Sequence, residues 1–159
     1  TLPETSHGER FQVTLQQSGC DGVFDKKYYE LIPGLDATVF PSYYEPWGYT
    51  PLESIAFGVP TITTSLSGFG QWIISSFDNS FDKCGVKVIS RGDFDFDAVK
   101  EAIALQINSL IDCSTAEMEK IRKSATNTAS KADWELFIAY YHEAFEIALR
   151  NANNRIQLF

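Results

Sequence analysis

The chain has 159 residues, enough for about one domain with a real core. Hydrophobic residues at 44% and charged residues at 21% are globular values, and no apolar run reaches the length of a bilayer span, which excludes a disordered chain or a helical membrane bundle. A net charge of -8, from 13 Lys+Arg against 21 Asp+Glu, argues against nucleic acid or an anionic membrane as partner. It leaves room for a nucleotide, which needs only a helix N-terminus or one or two basic side chains.

The three cysteines, Cys20, Cys84 and Cys113, are far apart and odd in number, which fits a reducing cytoplasm. Two scattered histidines, His7 and His142, do not make a metal site, so no metal and no cofactor are expected. Residues 1–10 are polar, carry no signal-peptide pattern and begin with Thr1, so a fragment or processed product is expected.

In chain order, residues 11–15 (FQVTL) alternate as a short strand does, and 18–25, with two glycines and two aspartates, should turn. Residues 26–32 are a short helical candidate ended by Pro33 and Gly34. Residues 37–40 (ATVF) are nearly all apolar, which predicts a strand buried on both faces, as in a parallel sheet. Residues 50–57 carry the clearest helix start: Thr50 as N-cap, Pro51 at the first helical position and Glu53 three residues after the cap. Gly58 stops this helix and Pro60 prevents its continuation. The β-branched run 61–64 (TITT) predicts another buried strand, 67–70 (SGFG) a turn, 71–74 the start of a helix, and 85–90 (GVKVIS) a further strand.

From Asp93 onward the pattern is helical. Phe96, Val99, Ile103, Ile107 and Leu110 share one face, with Asp93 or Asp95 as cap. A second helix runs over 115–123, capped by Ser114 or Thr115, and a third over 133–149. That third helix is apolar on several sides, which predicts that it is buried or docks onto something. Strands alternating with helices give an α/β parallel sheet with flanking helices, though the strand count is low for a complete doubly wound domain.

In such sheets ligands bind at the carboxyl ends of the strands. The turn 42–49 and the second loop, 64–70, both follow strands and so face one crevice. The helix after the first turn offers the positive end of its dipole to a phosphate beside Tyr49, Thr50 and Leu52. Glu45 reads either as a carboxylate for sugar hydroxyls or as an exposed loop acid. Glu53 reads first as half of a capping box. Trp47 either lines a pocket or plugs the core, and Gly48 beside it suggests a close backbone approach. Phosphate sites usually add Arg or Lys, yet residues 31–82 contain neither, so any cation must come from elsewhere.

The run FPSYYEPWGYTP over residues 40–51 resembles the glycogen synthases of the fungal and animal type and their bacterial relatives. TTSLSGFG over 63–70 resembles the following loop of that family, and Asp133-Trp134 with Tyr140-Tyr141 resembles its aromatic C-terminal helix. The resemblance implies the C-terminal half of a GT-B glycosyltransferase, in which two Rossmann-like domains face each other across a cleft. After an irregular, polar segment over 1–10, it implies a Rossmann-like nucleotide-sugar-binding part over 11–92 and a helical part of the same domain over 93–159. Its activity would be transfer of glucose, with retention, from UDP-glucose to an α-1,4-glucan.

By the same resemblance Glu45 lies near the donor sugar and Glu53 binds ribose hydroxyls. Trp47 and Gly48 approach the glucosyl hydroxyls through their backbone, Tyr49 lines the nucleotide pocket and the backbone of Thr50 meets the phosphates. The glucan would be held by an N-terminal domain that these residues lack, along with the Arg and Lys that hold the diphosphate. Neither His7 nor His142 matches the family's catalytic histidine, so this stretch alone is expected to be inactive. The region matching the family's arginine-rich sensor helix, 117–131, has one arginine, Arg122, which argues against sugar-phosphate regulation. Another GT-B enzyme with a different donor or acceptor, or a non-catalytic module for protein association, remain the alternatives, with a homo-oligomer open in each.

Overall fold

A computed structural model of the chain describes residues 26–156. The strand expected at 11–15 and the turn at 18–25 lie outside the described residues. The chain divides before Leu35, and the residues on either side are described separately. On the N-terminal side, α1 (Tyr28–Leu31) runs into a 3-10 turn over Ile32–Gly34, and Glu30 reaches back to the Lys27 N–H at 2.9 Å.

Beyond Leu35, three parallel strands lie in the order β1 (Thr38–Phe40), β2 (Thr61–Thr64) and β3 (Val86–Ile89). Thr38 pairs with Thr61, and Thr61 in turn with Val86, so all three strands end at one edge. Between β1 and β2 runs α2 (Tyr49–Ala56). Between β2 and β3 run α3 (Gly68–Ser76) and the short α4 (Phe81–Cys84). Three longer helices follow: α5 (Phe96–Ile111), α6 (Thr115–Ala129) and α7 (Trp134–Ile156).

The pleat of the strands separates two clusters. Val86 and Val88 point to the side of Ile55 in α2 and Phe69 and Ile73 in α3. Ile62 and Ile89 point to the side of Val99 and Leu110 in α5. All four residues of β2 are buried, although three are threonines. Their hydroxyls are satisfied locally. Thr61 bonds Val59 O (3.1 Å) and the Thr38 hydroxyl (2.9 Å), Thr63 donates to Phe40 O (3.2 Å), and Thr64 donates to Ser42 O. Burial of these groups without such partners would cost more than the packing returns.

Helix α6 crosses the amino ends of the strands. The Arg122 guanidinium donates to Leu35 O (2.8 Å) ahead of β1 and to Gly58 O (3.3 Å) ahead of β2. Gly85, ahead of β3 at φ +70, sits so close to α6 that an added Cβ would lie 2.4 Å from that of Ala125. The amino edge is closed in this way, and the loops at the carboxyl edge carry the candidate site.

Several expectations are corrected. Residues 37–40 are not buried on both faces: among the described residues β1 is an edge strand, and Val39 is 36% exposed. Thr50 is not the N-cap of α2. Gly48 takes that position at φ 115, which starts the helix earlier and puts Pro51 at the third position, still within the first turn. The capping box with Glu53 is therefore absent. Residues 67–70 are not a free turn but Ser67 as N-cap followed by the first turn of α3. The end of α2 is as expected, with Val59 N–H bonding Ser54 O and Gly58 N–H bonding Ile55 O, the paired bonds of a Schellman motif.

The face expected for α5 is buried only in part: Val99 and Leu110 are enclosed, while Phe96 is 69% exposed. The third long helix extends to Ile156 and is mostly exposed among the described residues; Trp134, Tyr140, Phe145 and Leu149 are all exposed. Phe137 ties its first turns to the aromatic cluster of Trp47 and Trp72.

Ser114 forms a complete capping box on α6. Its hydroxyl accepts from Glu117 N–H, and its own N–H donates to Glu117 Oε2 at 2.8 Å. Hydrogen bonds from the Ser114 hydroxyl and then its N–H hold the Glu117 carboxyl below its ordinary pKa. A lowered folded-state value gives stability that is present above the unfolded value and lost as pH falls through the folded one. Ser114→Ala should therefore lower the urea midpoint at about pH 7, with the gap to the parent shrinking by about pH 3. Equal midpoints at neutral pH would show that the box contributes nothing.

Candidate functional site

Two loops meet at the carboxyl edge of the sheet. The first, 41–48, leaves β1 and feeds α2, and the second, 65–67, leaves β2 and feeds α3. They pair like a short extension of the sheet. Glu45 and Ser67 form a parallel bridge, Glu45 N–H donates to Leu66 O (3.2 Å), Gly68 N–H to Glu45 O (3.1 Å) and Phe69 N–H to Trp47 O (2.7 Å).

Gly68 permits this contact, and Gly70 keeps the turn after β2 tight on its own strand. A Cβ at Gly68 would lie 2.2 Å from Pro46 O, and one at Gly70 would lie 2.2 Å from Thr64 O. Both obstacles are backbone and cannot swing aside. Ser67, buried beneath them, donates to Thr64 O (3.2 Å) and accepts from Gly70 N–H (3.0 Å), which caps α3.

Glu45 is held half-buried on this paired segment. Its Oε2 accepts a hydrogen bond from the Ser42 hydroxyl at 3.0 Å. A Cβ built at Gly48 would lie 3.5 Å from the same oxygen, so the carboxylate stands beside the N-terminus of α2. Trp47 turns its ring inward, with centroids 6.3 Å from Phe69, 6.0 Å from Trp72 and 5.7 Å from Phe137. The ring plugs an aromatic cluster, and its backbone faces the loop contact. Gly48 and Tyr49 begin α2, with Tyr49 70% exposed, while Thr50 and Glu53 are half-buried along its first turns. Glu45, Trp47, Gly48, Tyr49, Thr50 and Glu53 thus lie on one continuous stretch from loop to helix, with the Trp47 ring turned inward and Gly48 buried. His142 lies exposed on α7, away from that sequence.

The residue that sequence reasoning missed is Arg91. It follows β3 by two positions, and parallel pairing brings that strand's end to the same edge. Its guanidinium donates to Pro41 O (2.6 Å) and lies 4.9 Å over the Tyr43 ring, while its N–H donates to the Ser65 hydroxyl (3.0 Å). The Tyr43 hydroxyl donates to Asp93 at 3.0 Å, and this carboxylate raises the phenol's pKa. The available signal was topological: residues just after 85–90 must share an edge with those after 37–40 if the sheet is parallel. What this arrangement offers chemically is a carboxylate, a helix dipole and a cation on adjoining loops, with tyrosines around them.

Gly68→Ala places a methyl against a fixed carbonyl and should destabilise the fold by about 2–3 kcal/mol, read from urea or thermal melts. An unchanged midpoint would mean that the two loops do not touch as described.

Comparison with known proteins follows the same residues. A family model described as glycogen synthase matches residues 12–156. Among similar proteins, a glycogen (starch) synthase of Neurospora crassa is 33% identical over 135 residues, which are 85% of this chain and 19% of that protein. Isoform 2 of glycogen (starch) synthase from Saccharomyces cerevisiae is 34% identical, over 77% of this chain and 18% of its own length. The liver glycogen (starch) synthase of Mus musculus is 31% identical, over 79% and 18% respectively. The chain thus spans about a fifth of the length of the curated relatives it matches. On the match of nearly its whole length, the chain belongs to the glycogen synthase family.

Proposed function

We propose that this chain is the donor-binding part of a retaining glucosyltransferase that moves glucose from UDP-glucose to the end of an α-1,4-glucan. The observation that carries the reading is the placement of Glu45. Its carboxylate stands at the carboxyl edge of a parallel sheet, on a loop held rigid against its neighbour and beside the N-terminus of α2. That edge is where open α/β sheets bind nucleotides, and a helix N-terminus favours the diphosphate. A carboxylate fixed beside it can stabilise positive charge developing on the sugar as the nucleotide leaves.

In this reading Glu45 serves the reacting sugar, and Glu53, further along α2, binds the ribose hydroxyls. Trp47 and Gly48 meet the glucosyl group through backbone, Tyr49 lines the nucleotide pocket and the Thr50 backbone meets the phosphates. The reaction calls for no metal and no cofactor, and the acceptor glucan is held by a further domain. A reducing, cytoplasmic setting is supported by the scattered cysteines, of which Cys84 and Cys113 are free thiols. No helix among the described residues is long and apolar enough to cross a membrane.

A second reading, a module for protein association, has one observation behind it. The apolar side chains of α7 are exposed, Phe145 at 59% and Leu149 at 66%. The two readings part on binding: tight self-association with no affinity for UDP-glucose would favour the module.

The primary test uses the full-length gene product with UDP-glucose and glycogen. Glu45→Gln should lower kcat by about a hundredfold or more with donor KM little changed, because a group working mainly in the transition state is lost. Glu53→Gln should instead raise donor KM by about tenfold, because hydroxyl contacts are lost from the bound donor. Normal kinetics in both variants would refute the site assignment. Residues 1–159 alone should bind donor weakly and turn over none, and robust turnover by them would refute the fragment reading.

A further inference from the structure

We propose that Arg91 is a positioning residue for Glu45 and acts through Ser42. The inference rests on the reading of Glu45 as the carboxylate that serves the reacting sugar. It adds a residue from the segment after the third strand, fifty positions from its partner Pro41, to a site otherwise drawn from the first two loops.

Arg91 leaves the end of β3, which is separated from β1 by β2. Its side chain nevertheless spans the sheet edge and grips the first loop on both sides of Ser42. The guanidinium donates to Pro41 O at 2.6 Å on one side and lies 4.9 Å over the Tyr43 ring on the other. Two further contacts fix this grip. The Arg91 N–H is held by the Ser65 hydroxyl at 3.0 Å, and Tyr43 is turned toward the guanidinium by its hydrogen bond to Asp93 at 3.0 Å. Between the gripped residues, Ser42 O accepts from the Thr64 hydroxyl, so the backbone of Ser42 is fixed from three directions. The Ser42 hydroxyl donates to Glu45 Oε2 at 3.0 Å. Position therefore passes from Arg91 to Ser42 and from Ser42 to the carboxylate.

The planar guanidinium suits this task. One edge donates while the face stacks on an aromatic ring, which a lysine ammonium cannot do at once. Arg91 also commits a donor to Pro41 O, so the geometry favours holding the loop over free reach toward a donor phosphate. The rest of the first loop, from Glu45 to Trp47, is held independently by its pairing with 66–69. Loss of Arg91 should thus disturb the orientation of one carboxylate and leave the α2 residues assigned to the nucleotide in place.

The test measures kcat and donor KM for UDP-glucose in the full-length gene product carrying R91A, S42A, both together, R91K or E45Q. R91A and S42A should each lower kcat by about tenfold with donor KM within about twofold, the cost of a misplaced reacting group. The double variant should be no worse than either single one, because both break the same chain of contacts. R91K should recover part of the loss. Losses that multiply in the double variant, or a raised donor KM with kcat intact, would overturn the inference. The latter result would make Arg91 a phosphate contact instead. Should R91A fail to fold, S42A removes a single oxygen and carries the test alone, with an unchanged kcat overturning it. E45Q separates the two levels. An inactive E45Q beside normal R91A and S42A defeats this inference alone, whereas a fully active E45Q defeats the glucosyltransferase reading and this inference with it.

Discussion

The loop after β1 lies on the turn after β2 at a spacing that admits no side chain. Pro46 O occupies the space that a Cβ on Gly68 would fill. Backbone this close can pair, and three hydrogen bonds between 45–47 and 66–69 follow from it. Much else depends on this contact. It places Ser67 where it caps α3, turns the Trp47 ring into the aromatic cluster, and leaves the Glu45 carboxylate on the outer side of a braced segment. A loop free to move would give a carboxylate without a fixed direction, and the charge stabilisation proposed for Glu45 requires that direction to be set before the substrate arrives.

The two edges of the sheet are treated differently. At the amino edge, α6 lies against the strand starts through Arg122 and the close approach of Gly85 to Ala125. At the carboxyl edge, the loops meet one another and carry polar and aromatic groups: Ser42, Tyr43, Glu45, Ser65, Arg91 and Asp93. Each of the two arginines spans loops that are distant in sequence, one at each edge. Arg122 reaches carbonyls before β1 and β2, and Arg91 reaches a carbonyl after β1. Arginine suits both places because its fork can satisfy more than one partner while staying charged.

Most of the architecture was legible from local chemistry. TITT read as a buried strand because β-branched side chains fit a pleated surface, and the threonine hydroxyls then found backbone acceptors next door. Gly58 and Pro60 marked the end of α2 correctly because a helix terminus is a local event. The start of α2 was misplaced for an equally physical reason. Thr50, Pro51 and Glu53 fit a capping box, but a glycine at φ 115 starts the helix earlier without any side-chain cap. SGFG looked like a turn because glycines favour turns. Here both are helical, and Gly68 is small because Pro46 of another segment passes over it, which local pattern does not register.

The sequence by itself determined the class of fold and the order of its parallel-sheet elements, and it pointed to the stretch on which the proposed site is built. Those follow from periodicity, caps and a run of rare aromatic and acidic residues, all of which act within a few positions. Only the tertiary structure decided what the side chains in that stretch do. The Trp47 ring packs inward and the Glu45 carboxylate accepts from Ser42 because of segments that lie twenty or more residues away. The same holds for the cation that braces the first loop. Residues 31–82 contain none, and parallel pairing of three short strands brings Arg91 to the loop from fifty positions further on. Sequence records neighbours along the chain, and a charge at a site is supplied by neighbours in space.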